Sequence, residues 1–213
     1  MSRFSDRLST AQAASHSALT IGLAPELEKM PLPMQAHDDS FLPFGKAIID
    51  ATHDLVCAYV FDLAAYLSLG ASGAVALERT LAYVPTPIIK ILHGPFASVD
   101  YLRAFSESAF GVDGITLAIP NDALLTAYLT RSEYGVFVDA SNGIHAEPLV
   151  ALDREYPGQL GVYTLNSSPR TLSLLDPSCA QLRWHGEEIT LASRASDFRD
   201  AVRNAALAHR VTI

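Results

Sequence analysis

Six residues of this chain carry reactive groups in places that could use them: Lys90, His93 and Asp62, then Asp139, Ser141 and Asn142. A desolvated lysine can form Schiff bases, a carboxylate can take a proton or crowd another anion, and an imidazole serves as a base near neutral pH. In an extended segment residues two apart share a face, so Lys90 goes with Leu92 and Asp62 with Val60. His93 lies just past a strand candidate and reads as a general base, as a pH-sensitive contact, or as a solvated loop histidine before Gly94-Pro95. Asp139 closes another strand candidate, where it either faces the same end or caps the following turn. Ser141-Asn142 sit inside Asp-Ala-Ser-Asn-Gly, which is also ordinary turn chemistry.

Metal and cofactor chemistry has no comparable constellation. His145 with Glu147, and His185 with Glu187, are spaced two apart without a third ligand in a recognisable pattern, so no metal site is expected and no cofactor is implied. Cys57 and Cys179 show neither metal spacing nor a C-x-x-C pair and read as buried free thiols.

The elements that must position these groups alternate along the chain. Short apolar runs read as strands: 19–24, 55–61, 87–92, 114–118, 135–139, 160–165, 179–184 and 188–193. Amphipathic stretches read as helices, beginning with an opening helix on Phe4, Leu8 and Ala11. The others fall over 40–54, 73–84, 98–110, 121–130, 146–156, 168–175 and from Ser196 to about residue 208. Eight strands with helices between them predict one domain over 1–213, a TIM-type (β/α)8 barrel. Only His185-Gly186-Glu187 separates the last two strands, too short for a parallel crossover. Trp184 to Glu187 therefore reads as a hairpin turn, and the barrel is expected to be shortened or irregular at strands 7 and 8.

The totals restrict the function classes. A formal charge of −8 and a pI near 5.2 supply no basic footprint for nucleic acid. No apolar run approaches a bilayer span and the first residues lack the continuous apolar stretch of a signal peptide, so a cytoplasmic location is expected. With 49% hydrophobic residues, 18% charged and a mean hydropathy of +0.20, polar cover is thin, which predicts a buried subunit interface.

Several segments together resemble orotidine 5′-phosphate decarboxylases of the longer bacterial branch: FSDRL at 4–8, IGLAPELE at 21–28, FGKAIIDA at 44–51, GASGAVALERTL at 70–81, GVFVDASN at 135–142 and SDFRDAVRNAA at 196–206. The resemblance implies a β/α barrel working as a dimer, with the active site at the strand C-termini and the interface. It also implies an alternating Lys/Asp set that drives off the carboxylate and protonates the carbanion.

Little of that set is present. Gly22-Leu23-Ala24-Pro25 stands where the family has Gly-Ile-Asp-Pro, and the second-strand lysine falls on Val60. The Asp-x-Lys-x-x-Asp pattern falls on Lys90, Leu92 and Pro95; in the other register Ile88 and His93 take the acid positions. Glu187-Glu188 replaces the Ser-Arg phosphate contact, while Ser141-Asn142 matches the pair that reads the pyrimidine edge. With the family's inward face kept, Lys90 and Asp62 both look into the barrel mouth, as an ion pair or as a Schiff-base lysine with an acid beside it.

These residues predict a catalytically silent relative of the decarboxylase with a partner- or ligand-binding role. It is expected as a homodimer or a heteromer with a related decarboxylase, with a small-molecule or pyrimidine ligand. The alternatives are a repurposed lyase or aldolase using Lys90, Asp62 and His93, a pyrimidine sensor keeping Ser141-Asn142, and residual pyrimidine-nucleotide decarboxylation through a site completed by a partner subunit.

Overall fold

Eight short strands close into a barrel in sequence order, β1 through β8, with β8 returning to pair with β1. The computed structural model describes residues 2–94, 99–102, 110–118, 122–141, 146–167 and 169–213. The strands are β1 (Leu19–Leu23), β2 (Ala58–Asp62), β3 (Ile89–His93), β4 (Gly114–Leu117), β5 (Gly135–Asp139), β6 (Leu160–Thr164), β7 (Arg170–Leu174) and β8 (Leu182–His185). Around them run α1 (Phe4–Ser15), α2 (Leu32–Gln35), α3 (Phe41–Thr52), α4 (Leu63–Leu67), α5 (Ala71–Tyr83), α6 (Asp122–Leu129), α7 (Ala146–Glu155), α8 (Glu187–Thr190) and α9 (Phe198–His209). Most of the helix expected over 98–110 lies outside the described residues.

The expected barrel is present, and its irregularity is a reversed strand. β7 pairs antiparallel with both β6 and β8, whereas every other pairing is parallel. Residues 165–169 and 175–181 are the only links available, and both are too short for a parallel crossover, so the chain can only fold back on itself there. This corrects two elements. The segment 168–175, expected as a helix, contributes β7, with Leu172 fully buried in the interior. The segment 188–193, expected as a strand, instead contributes to α8, whose first turn carries Glu187 and Glu188, where acidic side chains favour a helix start. The hairpin expected at Trp184–Glu187 is absent, since Gly186 opens α8.

Strand alternation divides the apolar residues into two layers. Leu19, Ile21, Leu23, Tyr59, Phe61, Leu92, Val136 and Val138 point outward and pack under the helices. Ala58, Val60, Ile89, Ile91, Phe137, Tyr163, Leu172, Leu182 and Trp184 fill the barrel. At the N-terminal end of the strands α1 acts as the floor. Phe4 N–H donates to the Ser132 carbonyl at 2.9 Å, Ser5 N–H to the Gly158 carbonyl at 3.0 Å, and the Phe4 ring meets Phe137 edge-on at 5.9 Å. A Cβ at Gly135 would reach within 2.5 Å of that Phe4 ring, so the floor residue requires a glycine beside it. With the floor sealed, open space remains at the strand C-termini, the end at which barrel sites are built.

Candidate functional site at the barrel mouth

A cavity of about 420 Å³ opens at the strand C-termini. β1 and the residues after it supply Gly22 and Ala24, β2 supplies Val60 and Asp62, β8 supplies Trp184, and Glu187 and Glu188 come from the first turn of α8. Because β7 is reversed, its first residue, Arg170, also reaches this rim, where a parallel strand would have placed its last.

Beside the cavity, β2 and β3 bring Asp62 opposite His93. His93 is the last residue of β3 rather than a loop residue. Its Nδ1 lies 2.9 Å from Thr116 Oγ1, and its ring meets Trp184 at 5.1 Å and Tyr163 at 5.8 Å, both edge-on. Burial disfavours the imidazolium and holds the His93 pKa below its ordinary value; Asp62 and Asp139 oppose that shift and Arg170 adds to it. Asp62 Oδ1 also accepts from the Ala65 N–H at 2.9 Å and so caps α4.

Lys90 does not join this group. It pairs in register with Tyr59, three positions before His93 and therefore on the opposite face of β3. It lines a separate cavity of about 320 Å³ at the floor end, with Arg7 and Asp113. The expected Lys90–Asp62 pairing is thus corrected by a one-residue shift of the pleat: Ile91 and His93 face inward, and Leu92 faces the helices.

Asp139 takes the turn-capping role, its Oδ1 accepting from the Ser141 N–H at 2.8 Å. The Ser141 hydroxyl accepts from the Leu165 N–H at 3.2 Å and ties the end of β5 to the end of β6. Asn142 lies outside the described residues, as does His145. Among the described residues no group of three or more His, Cys, Asp or Glu could hold a metal ion, and no helix is long and apolar enough to cross a membrane.

Two mouth residues escaped the sequence reading: Arg170, hidden in an expected helix, and Trp184, hidden before an expected hairpin. The guanidinium lies 5.0 Å from the centre of the Trp184 ring. The one available signal was that Trp184 is the chain's single tryptophan.

The chain has three lysines, and none lines the mouth cavity. Lys29 is held at the surface by Glu26 and Glu187, each at 3.0 Å. Lys46 stands over the Tyr83 ring at 4.7 Å on the outer helices, and Lys90 faces the floor cavity.

No family model matches the chain. Among curated proteins it is 40% identical over 141 residues to the orotidine 5′-phosphate decarboxylase of Thermomicrobium roseum, covering 63% of this chain and 50% of that protein. It is 36% identical over 119 residues to that of Herpetosiphon aurantiacus, covering 54% and 45%. Over the matched segments the chain is similar to orotidine 5′-phosphate decarboxylases. It spans about half the length of the curated relatives it matches. Solved structures share the fold: a Toxoplasma gondii barrel assigned to orotidine-monophosphate decarboxylase superposes with a TM-score of 0.74 at 18% identity, covering 98% of this chain and 94% of that one. The orotidine-monophosphate decarboxylase of Leishmania donovani gives 0.69 at 19%, covering 95% of each. Within this barrel, Ala24 and Val60, where the resemblance implies an aspartate and a lysine, are apolar lining residues of the mouth cavity.

Proposed function

We propose that this decarboxylase-like chain does not decarboxylate orotidine 5′-phosphate and instead holds a small ligand in its mouth cavity. The observation that carries the reading is the position of the three lysines, all outside that cavity. Loss of carbon dioxide leaves a carbanion, which must be stabilised by a nearby positive charge and then given a proton. Among the described residues, Arg170 on the cavity wall and His93 beside the cavity offer nitrogen groups for that work, and each fails at one part of it. The Arg170 guanidinium can offset charge, but a guanidinium is not a working proton donor. His93 can exchange protons, but its burial disfavours the charged imidazolium. A Schiff-base lyase would need Lys90 in the mouth, and Lys90 lines the cavity at the other end. Incubating the purified chain with orotidine 5′-phosphate and following the pyrimidine absorbance tests the reading; a catalysed change would refute it.

Self-association belongs to the same reading. Leu67, Leu69 and Val75, along α4 and the start of α5, are exposed apolar side chains that a second copy would cover. Sedimentation of a monomer at micromolar concentrations would remove that part.

A further inference from the structure

The mouth cavity has a polarity of its own. Trp184 is largely buried, but its indole N–H makes no hydrogen bond among the described residues and is not one of the buried unpartnered groups, so it is open to the cavity that Trp184 lines. That nitrogen lies against Gly22 on the cavity wall, where an added Cβ would collide with it. An indole N–H can only donate, so what it meets in the cavity must be an acceptor. Arg170 lies over the same ring, and among the described residues no carboxylate pairs with its guanidinium. Two donors on one wall are therefore open.

The acids around them are engaged. Asp62 caps α4, Glu187 bonds Lys29 at 3.0 Å, and Glu188 accepts from His185 Nδ1 at 3.0 Å. Their negative field penalises a second charge on any anion that Arg170 attracts. The planar guanidinium fork matches a carboxylate, and the apolar Ala24 and Val60 on the same cavity suit a hydrocarbon or ring body.

From this we infer that the cavity takes a small monocarboxylate with an apolar body, its carboxylate held jointly by the Arg170 guanidinium and the Trp184 Nε1–H. The inference rests on the reading of the mouth as a ligand-holding cavity and adds the class of ligand. It assigns Arg170, delivered by the reversed β7, as the residue that selects charge.

Since Trp184 is the only tryptophan, its emission reports on this cavity alone. The test titrates the full chain with benzoate, phenyl phosphate, benzamide and benzylamine, which share a ring and differ in charge. Benzoate is expected to change the emission saturably, and the other three to bind at least about tenfold more weakly, the loss of one charge-assisted hydrogen bond. Arg170→Ala, a change at an exposed side chain, and Arg170→Lys should each cost benzoate about tenfold. Trp184→Phe, followed by thermal shift, should cost about threefold to tenfold. Benzamide binding as tightly as benzoate, phenyl phosphate binding more tightly, or no saturable response to benzoate would overturn the inference. A missing benzoate response with no turnover of orotidine 5′-phosphate removes the ligand class and leaves catalytic silence standing. Turnover removes the silence whatever benzoate does.

Discussion

Asp62 and His93 are register partners at the ends of β2 and β3, and the burial of the imidazole outweighs the pull of the carboxylate. Protonated imidazole quenches a neighbouring indole, and the His93 ring lies 5.1 Å from Trp184. Trp184 emission should therefore fall with acid, with its midpoint below pH 6.5, the ordinary histidine value. Asp62→Asn should push the fall to still lower pH, and His93→Gln should abolish it. Lys90→Ala should leave it in place. A midpoint above 6.5 would show that the carboxylate dominates.

Stability should follow the same group. His93 and His185 both have pKa values lowered mainly by burial, so the unfolded chain takes up protons that the folded chain refuses. Stability is then fully present above pH 6.5 and is lost as the pH falls from there through the folded values. Chemical denaturation between pH 7 and pH 5 should show this slope, and His93→Gln should make it shallower. An unchanged slope in that variant would mean that His93 is not buried as described.

The floor of the barrel depends on Phe4, which is fully buried against Phe137 and Gly135. Phe4→Ala should cost about 3–5 kcal/mol, as for other fully buried aromatic side chains. Urea unfolding measures this, and a loss below about 1 kcal/mol would mean that α1 does not seal the barrel.

The two thiols should react very differently. Cys57 is fully buried, and burial pushes its pKa up to about 12, whereas Cys179 is partly exposed. A thiol-exchange reagent should label Cys179 in the folded protein and Cys57 only as the chain unfolds. Equal labelling rates would contradict the placement of β2.

The first six strands were legible because each is an apolar run bounded by turn residues and separated from the next by a helical stretch. The last quarter was not, for local reasons. SPRTLSLL fits either period, and only the short links on both sides force it into a reversed strand. In EITLAS the β-branched residues suggested a strand, but Gly186 and the two acids after it start a helix. The inward face of β3 was hidden because Ile88, Ile89, Ile91 and Leu92 make both faces apolar, so alternation cannot set the register. Asp62 and His93 were visible as candidates, but Arg170 could not be placed at the mouth until β7 was known to be reversed.

The most direct measurement is a single-turnover incubation of excess purified protein with orotidine 5′-phosphate labelled in its carboxylate, counting released carbon dioxide. With every lysine outside the cavity, release should match that of buffer alone and should stay unchanged in Lys29→Ala, Lys46→Ala and Lys90→Ala. Release well above buffer, lost in any one of these variants, would place an ammonium at the reacting carbon and contradict the reading of the mouth given above.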